Sequence, residues 1–322
     1  MKIFVSGATG FIGSHLALRL AEQGHAVHAM NRTGYKAGAV HHPNIQFFQG
    51  DILDQVSLEA AMAGCEQVYH LAAFAKAWDK NPAVIYRQNI QGALCVIKAA
   101  SKVGASRIVL TSTAGTLGPS GAGEVDETAA PARYFTDYES SKAIMEQMAQ
   151  AFAQSGLHVV LVNPTRVYGP GVMSESNAVT KMMASYRRGK WRIIPGNGKS
   201  VGNYAFVEDV VEGHLLAMEK GRPGERYILG GENASYNEFF ALLAELTGER
   251  YAMLKLPVPI MLGVSSFLLL LAQLFGIRPA ITPALARKYA QDFRVSSAKA
   301  KQELGYQPLS LREGMQRTLE AL

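Results

Sequence analysis

Between residues 7 and 13 the chain reads GATGFIG, and no other stretch restricts its fold so much. KIFVS (2–6) before it is a short apolar run ending at glycine, which reads as a buried strand. FIGSHLALRLAEQG (11–24) after it has helical periodicity, with Gly24 as a stop signal. The three glycines at this junction answer three steric demands. Gly7 permits the tight turn, Gly10 lets backbone approach a pyrophosphate, and Gly13 lets helix pack close to strand. The helix N-terminus then offers its N–H groups and positive dipole end to phosphate oxygens. The pattern predicts a dinucleotide site at the start of a parallel sheet.

The rest of the first half keeps that rhythm. HAVHAM (25–30), IQFFQGD (45–51), QVYHLAA (67–73), RIVLTST (107–113) and HVVLVNP (158–164) read as further strands. Pro82 to Val103 and DYESSKAIMEQMAQAFAQSG (137–156) read as helices between them. Alternating strands and helices predict an α/β fold with a Rossmann-type doubly wound parallel sheet, which binds ligands at the carboxyl ends of its strands. After Gly169 the rhythm changes to Gly-rich loops, the FVEDVVEGHLLAM helix, the YILGG strand and then mostly helices. The expected organisation is a dinucleotide-binding domain over 1–168, to which 204–228 returns. A smaller, mostly helical C-terminal substrate lobe is expected over 169–203 and 229–322.

A formal net charge of +6 over 322 residues, without a long Lys/Arg run, argues against nucleic acid as a partner. Cys65 and Cys95 make neither a disulfide framework nor a zinc quartet, so a reducing, cytoplasmic setting is expected. The apolar start is too short and glycine-broken for a signal peptide. His70, His158 and His214 lack metal-ligand spacing and read as ordinary strand or helix residues, with no metal site. One stretch, LPVPIMLGVSSFLLLLAQLFGI (256–277), carries no charge and by length could span a bilayer. Pro257, Pro259 and Gly263 weaken that reading. The alternatives are a surface-lying membrane anchor or the wall of an apolar substrate pocket, with Met253, Met261, Phe267 and Phe275 as candidate wall residues.

An acid that binds the adenosine ribose 2′-OH is expected about 20 residues after the glycine loop, at the end of strand two. Asn31 stands there, followed by Arg32, with Lys36 close behind. Asn does not repel a 2′-phosphate as Asp would, and Arg32 can pair with one through charge-assisted hydrogen bonds. The stretch predicts a preference for NADP, with NAD possible.

GATGFIG, GDILD, HLAA, NIQG, TSTAGTLG, YESSK and NPTRVYGP together resemble the extended branch of the short-chain dehydrogenase/reductases, the NAD-dependent epimerase/dehydratase superfamily, over nearly the whole chain. The resemblance implies cofactor contacts from Gly7, Thr9, Gly10, Phe11, Ile12 and Gly13 in the loop and from Asp51 and Ile52 near the adenine. It implies further contacts from Leu71, Ala72 and Ala73, from Asn89 as a structural or cofactor-side residue, from Thr111, and from Pro164 and Val167 over the nicotinamide. It also implies Thr113, Tyr138 and Lys142 as the catalytic set, the latter two contacting the cofactor as well. A homodimer through the helix bearing Tyr138 is a further implication.

The chemistry asks for such residues. Tyr138 and Lys142, four apart, share one helix face. A phenol is a poor acid–base group at neutral pH unless nearby positive charge lowers its pKa. The ammonium and an oxidised nicotinamide are expected to do so, letting Tyr138 exchange a proton with a substrate oxygen that Thr113 also holds. A second Tyr-x-x-x-Lys, Tyr186 and Lys190, lacks a preceding hydroxyl-bearing strand end and has Gly189 inside it.

Departures from the family pattern narrow the reaction. Dehydratases of this branch carry Asp-Glu after the catalytic Thr, where this chain has Ala114-Gly115. Sugar-nucleotide epimerases usually carry Asn where Arg166 stands and often Arg where Gly202 stands, although Lys199 or Arg166 could replace the lost phosphate clamp. What remains resembles the dihydroflavonol-reductase-like and 3β-hydroxysteroid-dehydrogenase-like groups. The reading is an NADP-dependent oxidoreductase interconverting a ketone and a secondary alcohol on a largely apolar small molecule. The alternatives are a sugar-nucleotide epimerase and an NADP-binding sensor or scaffold.

Overall fold

The computed structural model describes residues 1–32, 40–76, 78–131, 133–173 and 177–322. Six consecutive strands build most of one sheet: β1 (Lys2–Ser6), β2 (Ala26–Asn31), β3 (Ile45–Gln49), β4 (Gln67–His70), β5 (Arg107–Thr111) and β6 (Val159–Pro164). The strand Arg226–Leu229 joins beside β6, giving a seven-stranded sheet in which every pairing is parallel. β1 lies between β2 and β4, so the strand order reverses there. That reversal opens a crevice beyond the carboxyl ends of β1 and β4.

Period-two alternation explains why both faces are covered. Ile3 and Val5 enter one apolar layer with Leu16, Leu20 and Val210, whereas Phe4 enters the other with Leu58, Val96 and Met145. β6 divides likewise, Val160 and Val162 to the first layer and Val159 and Leu161 to the second. The helix Val207–Lys220 packs in the first layer.

The run expected as one helix from Pro82 to Val103 is interrupted. Ala83–Tyr86 leads into a single π-helical turn over Arg87–Gln91 before the helix Gly92–Lys102 resumes. Such a bulge re-aims one side chain without ending the helix. Here that side chain is Asn89. Its Oδ1 accepts the Phe74 N–H at 2.8 Å, and its Nδ2 donates to Ser141 Oγ at 2.9 Å.

The later segment has its own aromatic core of Tyr168, Tyr186, Tyr204, Phe206, Phe239 and Phe240. A three-stranded sheet, Glu232–Ser235, Val201–Phe206 and Arg166–Tyr168, crosses it. Tyr186 is buried there with its hydroxyl donated to the Glu249 carbonyl, and its helix ends at Arg187, short of Lys190.

The uncharged stretch forms the helix Val258–Phe275. Among the described residues it is the one helix long and apolar enough to cross a membrane, and only 17% of it is buried. Met261, Ser265 and Ala272 face inward, against the helix Pro283–Tyr289. Ile260, Val264, Phe267, Leu270 and Leu274 face outward. Phe267 and Phe275, at 59% and 68% exposure, therefore do not wall a pocket, and Met253 packs into the aromatic core instead. The helix has more apolar faces than it has neighbours to cover them.

Candidate active site

The glycine loop meets the end of β4. Gly7 has φ +77°, and a Cβ there would fall 2.6 Å from the Ala72 nitrogen and 2.9 Å from the Leu71 carbonyl carbon. At Gly13 a Cβ would fall 2.1 Å from the Gly7 oxygen. Gly10 closes the turn with its N–H on the Gly7 carbonyl at 2.9 Å and starts the helix Phe11–Glu22, whose first turn holds no acidic residue and no capping side chain. The Phe11 ring is buried in the core, whereas Thr9 and Ile12 are half-buried. Ser6 Oγ ties the two strand ends together, contacting His70 Nδ1 at 2.7 Å and accepting the Ala72 N–H at 3.3 Å. Ala73 follows in the same strand-end loop.

Asn31 ends β2 with both amide atoms buried and without a hydrogen-bond partner among the described residues. A buried amide unpaired on both sides carries a desolvation cost that a ribose or phosphate oxygen would relieve. Arg32 beside it is exposed, and Lys36 lies outside the described residues. Asp51 folds back to accept the Leu53 N–H, and Ile52 packs on Gly92. The uncapped turn and the unpaired Asn31 fit a dinucleotide.

The helix Asp137–Gln154 begins at a capping box. Thr136 accepts the Glu139 N–H and Glu139 accepts the Thr136 N–H. This fixes Tyr138 in the first turn and puts Lys142 and Glu146 on the same face at four-residue spacing. Lys142 is 2% exposed and donates to the Thr111 carbonyl at 2.7 Å. Burial pushes its pKa down to about 8, against the raising effect of the Glu146 charge.

Glu146, which no sequence motif marked, sits at the centre of a buried network. Ser112 and Thr116 donate hydroxyls to it, Asn163 donates an amide N–H at 2.6 Å, and Arg226 pairs with it at 3.1 Å. Ser112 is thereby spent. Thr113 is different: its Oγ1 accepts the Gly115 N–H at 3.1 Å, and its own proton has no acceptor among the described residues. Thr111, on the strand before, contacts His214 Nε2 at 2.9 Å, while His214 Nδ1 lies 2.7 Å from the Val210 carbonyl. Nδ1 must donate to that carbonyl, so Nε2 accepts the Thr111 proton.

The expectation of an acidic Tyr138 phenol is not met within the protein alone. Burial raises its pKa, and the charges of Glu139 and Glu146 raise it further. His70 is pushed down to about 3 by burial and by the Lys142 charge, which keeps it neutral. Lowering the phenol's pKa thus falls to positive charge brought by a bound oxidised dinucleotide.

Thr113 opens into a pocket shared with Ala114, Pro164, Arg166, Phe293 and Val295. Pro164 borders it, but Val167 is turned into the core. Lys288 also borders the pocket and is ion-paired with Glu139. Among the described residues no cluster of His, Cys, Asp and Glu could hold a metal.

A model of the NAD dependent epimerase/dehydratase family matches residues 3–230. The chain is 32% identical over 317 residues to sterol demethylase protein B of Methylococcus capsulatus, covering 97% of this chain and 95% of that protein. It is 27% identical over 342 residues to the mouse sterol-4-alpha-carboxylate 3-dehydrogenase, decarboxylating, covering 99% and 90%. Among solved structures it superposes on the UDP-glucose 4-epimerase of Thermotoga maritima in complex with UDP-glucose. That match has a TM-score of 0.82 and 28% identity, covering 100% of this chain and 98% of that one.

Proposed function

Because the chain belongs to the NAD dependent epimerase/dehydratase family, we propose that it interconverts a ketone and a secondary alcohol on a largely apolar molecule, with NADP as the preferred dinucleotide. The observation that carries this reading is the single helix face bearing Tyr138, Lys142 and Glu146, joined through Ser112 to the strand end that presents Thr113. A dinucleotide held at the glycine loop supplies or accepts the hydride. Gly7, Gly10 and Gly13 admit its pyrophosphate, and Asn31 and Arg32 meet the adenosine ribose and a 2′-phosphate. Lys142, anchored on the Thr111 carbonyl, would hold the nicotinamide ribose hydroxyls of a bound dinucleotide. Thr113 donates its free proton to the substrate oxygen. Tyr138, kept protonated by burial, delivers a proton to the same oxygen, which suits reduction of a ketone near neutral pH.

Ala114 and Gly115 supply no second acid–base pair, which speaks against dehydration. Two relatives are named for sterols, and Ala114, Pro164, Phe293 and Val295 give the pocket apolar walls. An apolar substrate also accounts for the outward face of Val258–Phe275, which we assign to a lipid surface. That helix packs on Pro283–Tyr289, which carries the pocket residue Lys288. The overall charge of +6 favours anionic headgroups.

The test is a panel of aromatic, steroid-like and β-keto compounds supplied with NADPH and followed by nicotinamide absorbance. Net consumption that Tyr138→Phe abolishes is the expected result. Dinucleotide that copurifies, with no net consumption on any compound, would overturn the reading in favour of an epimerase.

A further inference from the structure

We propose that Lys288 is a positioning residue for Tyr138: it pins the buried Glu139 carboxylate beside Gly115 and offsets its charge, and so sets the first turn of the helix that bears the tyrosine. The proposal rests on the oxidoreductase reading only for Tyr138 as the group that exchanges the proton.

Glu139 follows Tyr138 directly, and its side chain is 1% exposed. Its two oxygens have different partners. Oε2 accepts the Phe135 N–H at 2.9 Å and the Thr136 N–H at 3.2 Å, which closes the cap of the helix Asp137–Gln154. Oε1 takes the Lys288 ammonium. A Cβ at Gly115 would fall 3.0 Å from both Cγ and Oε1 of Glu139, so the carboxylate lies beside the loop that follows Thr113. One acid thus joins the cap of the Tyr138 helix to the loop that presents Thr113.

Lys288 comes from far along the chain. It lies in the last turn of the helix Pro283–Tyr289, with its ammonium 5.2 Å from the centroid of the Phe293 ring. Phe293 is fixed by its N–H on the Val201 carbonyl at 2.9 Å. Its ring meets that of Phe135 at 6.2 Å between centroids, and Phe135 is the residue whose N–H Glu139 accepts. Cation, acid and two rings therefore form one closed contact between the later segment and the turn that leads into Tyr138. Lys288 and Phe293 border the same pocket as Thr113.

Charge explains why the contact bears on the tyrosine. Glu139 and Glu146, on its own helix, both disfavour the Tyr138 phenolate. The other titratable groups around the first turns of this helix are Lys142, neutral His70 at the end of β4, and Asp137, which accepts the Tyr86 hydroxyl at 3.0 Å. Arg226 pairs with Glu146 and Lys288 pairs with Glu139, so each acid that opposes the phenolate has its own cation. Without Lys288, a buried carboxylate beside the phenol would keep only backbone donors, and its uncompensated charge would make the phenolate harder to form. A glutamine at position 139 removes the charge and still serves the capping box.

The experiment is a pH titration of the full chain saturated with NADP⁺, reading the tyrosinate absorbance of each protein against its own Tyr138→Phe counterpart. Wild type, Lys288→Met, Lys288→Arg, Glu139→Gln and the double variant Lys288→Met, Glu139→Gln are compared. The second readout is the pH profile of kcat for oxidation of the secondary alcohol that corresponds to the best ketone of the panel. Lys288→Met should raise the pH at which Tyr138 ionises by about one unit, and move the acidic limb of kcat with it. Lys288→Arg should restore most of the wild-type behaviour. Glu139→Gln should move both readouts downward, and the double variant should return close to wild type. A tie that serves packing alone would lower the melting temperature and move neither readout. An unmoved ionisation in Lys288→Met, or a double variant that behaves like Lys288→Met, would overturn the proposal. So would an unmoved or upward shift in Glu139→Gln, which stands as a test even if Lys288→Met misfolds. Absence of turnover on every compound sinks the oxidoreductase reading alone, and the absorbance titration still decides this proposal. Turnover that needs Tyr138, with an ionisation indifferent to Lys288, sinks this proposal alone.

Discussion

Gly202 and Arg166 occupy one space from two strands: a side chain at position 202 would begin 2.3 Å from the guanidinium Nη1. The contact is with the far end of a long side chain, so a methyl group at position 202 displaces the guanidinium and spares the backbone. Gly202→Ala is therefore expected to fold with a melting temperature within a few degrees of wild type. Its kcat/KM on a ketone that wild type turns over should fall several-fold, since Arg166 borders the pocket that Thr113 borders. Steady-state kinetics checks it. An unchanged kcat/KM at an unchanged melting temperature would mean that the guanidinium takes no part in binding.

Why Arg166 was hard to assign from sequence, whereas the glycine loop was not, has a physical answer. GATGFIG and Tyr138–Lys142 are local: each fits within one turn or one helix face, so spacing carries the geometry. Strand positions were legible for a similar reason, since alternation within β1 and β6 alone decides which layer each side chain enters. Arg166, Tyr204, Tyr236 and Gly202 come from separate elements, and nothing in the sequence tells that they converge. Glu146 was missed although it continues the four-residue spacing, because its partners Ser112, Thr116, Asn163 and Arg226 are scattered along the chain. The π-helical turn at Asn89 is likewise not legible in sequence, since the bonds it makes, to Phe74 and Ser141, are tertiary. The influences on the Tyr138 phenol within the protein are not legible in sequence, because burial, the largest of them, is a property of the folded chain.

Lys142 and Glu146 make a pH prediction. Burial holds the Lys142 pKa down to about 8 from an ordinary 10.5, and the Glu146 charge opposes that fall. Reduction should decline on the alkaline side as Lys142 loses its proton near pH 8. Glu146→Gln removes the opposing influence, so the alkaline limb should move to lower pH. The stability sign follows from the same depression. Between about 8 and 10.5 the folded chain binds fewer protons here than the unfolded chain, so this group adds stability as pH rises through that window and loses it as pH falls toward 8. Melting curves of wild type and Lys142→Met should therefore converge, or cross in favour of wild type, as pH rises. An alkaline limb in Glu146→Gln that stays put or moves upward would contradict the assignment.

The unpaired amide of Asn31 and the exposed Arg32 bear on dinucleotide choice. Arg32→Ala should weaken NADPH binding by about tenfold or more and NADH binding by no more than about twofold. Asn31→Asp should act in the opposite sense for the two dinucleotides. A carboxylate there accepts hydrogen bonds from a ribose hydroxyl and repels a 2′-phosphate, so NADH should gain while NADPH loses. Fluorescence titration of both dinucleotides against the three proteins gives the comparison. Parallel losses for NADPH and NADH in Arg32→Ala would show that Arg32 is only solvated surface.

The outward face of Val258–Phe275 is built from Ile260, Val264, Phe267, Leu270 and Leu274, which recur every three or four residues along the helix. Exposed leucines scattered singly need no explanation, but a continuous stripe along an 18-residue helix does. Burying a fully exposed large apolar side chain recovers roughly 1.5–3 kcal/mol. Phe267, Leu270 and Leu274, each a little over half exposed, would together recover a part of that sum on entering a lipid surface. The triple variant Phe267→Ser, Leu270→Ser, Leu274→Ser should leave the fold and NADPH affinity unchanged, because all three residues are more than half exposed and none borders the pocket. Wild type should cosediment with vesicles of mixed neutral and anionic phospholipid, and the variant should stay in the supernatant. Adding salt should weaken the wild-type association without abolishing it, since apolar insertion is not screened. Wild type that stays in the supernatant at every lipid concentration, or sediments without lipid as a higher oligomer that the variant cannot form, would assign this face to another copy of the chain.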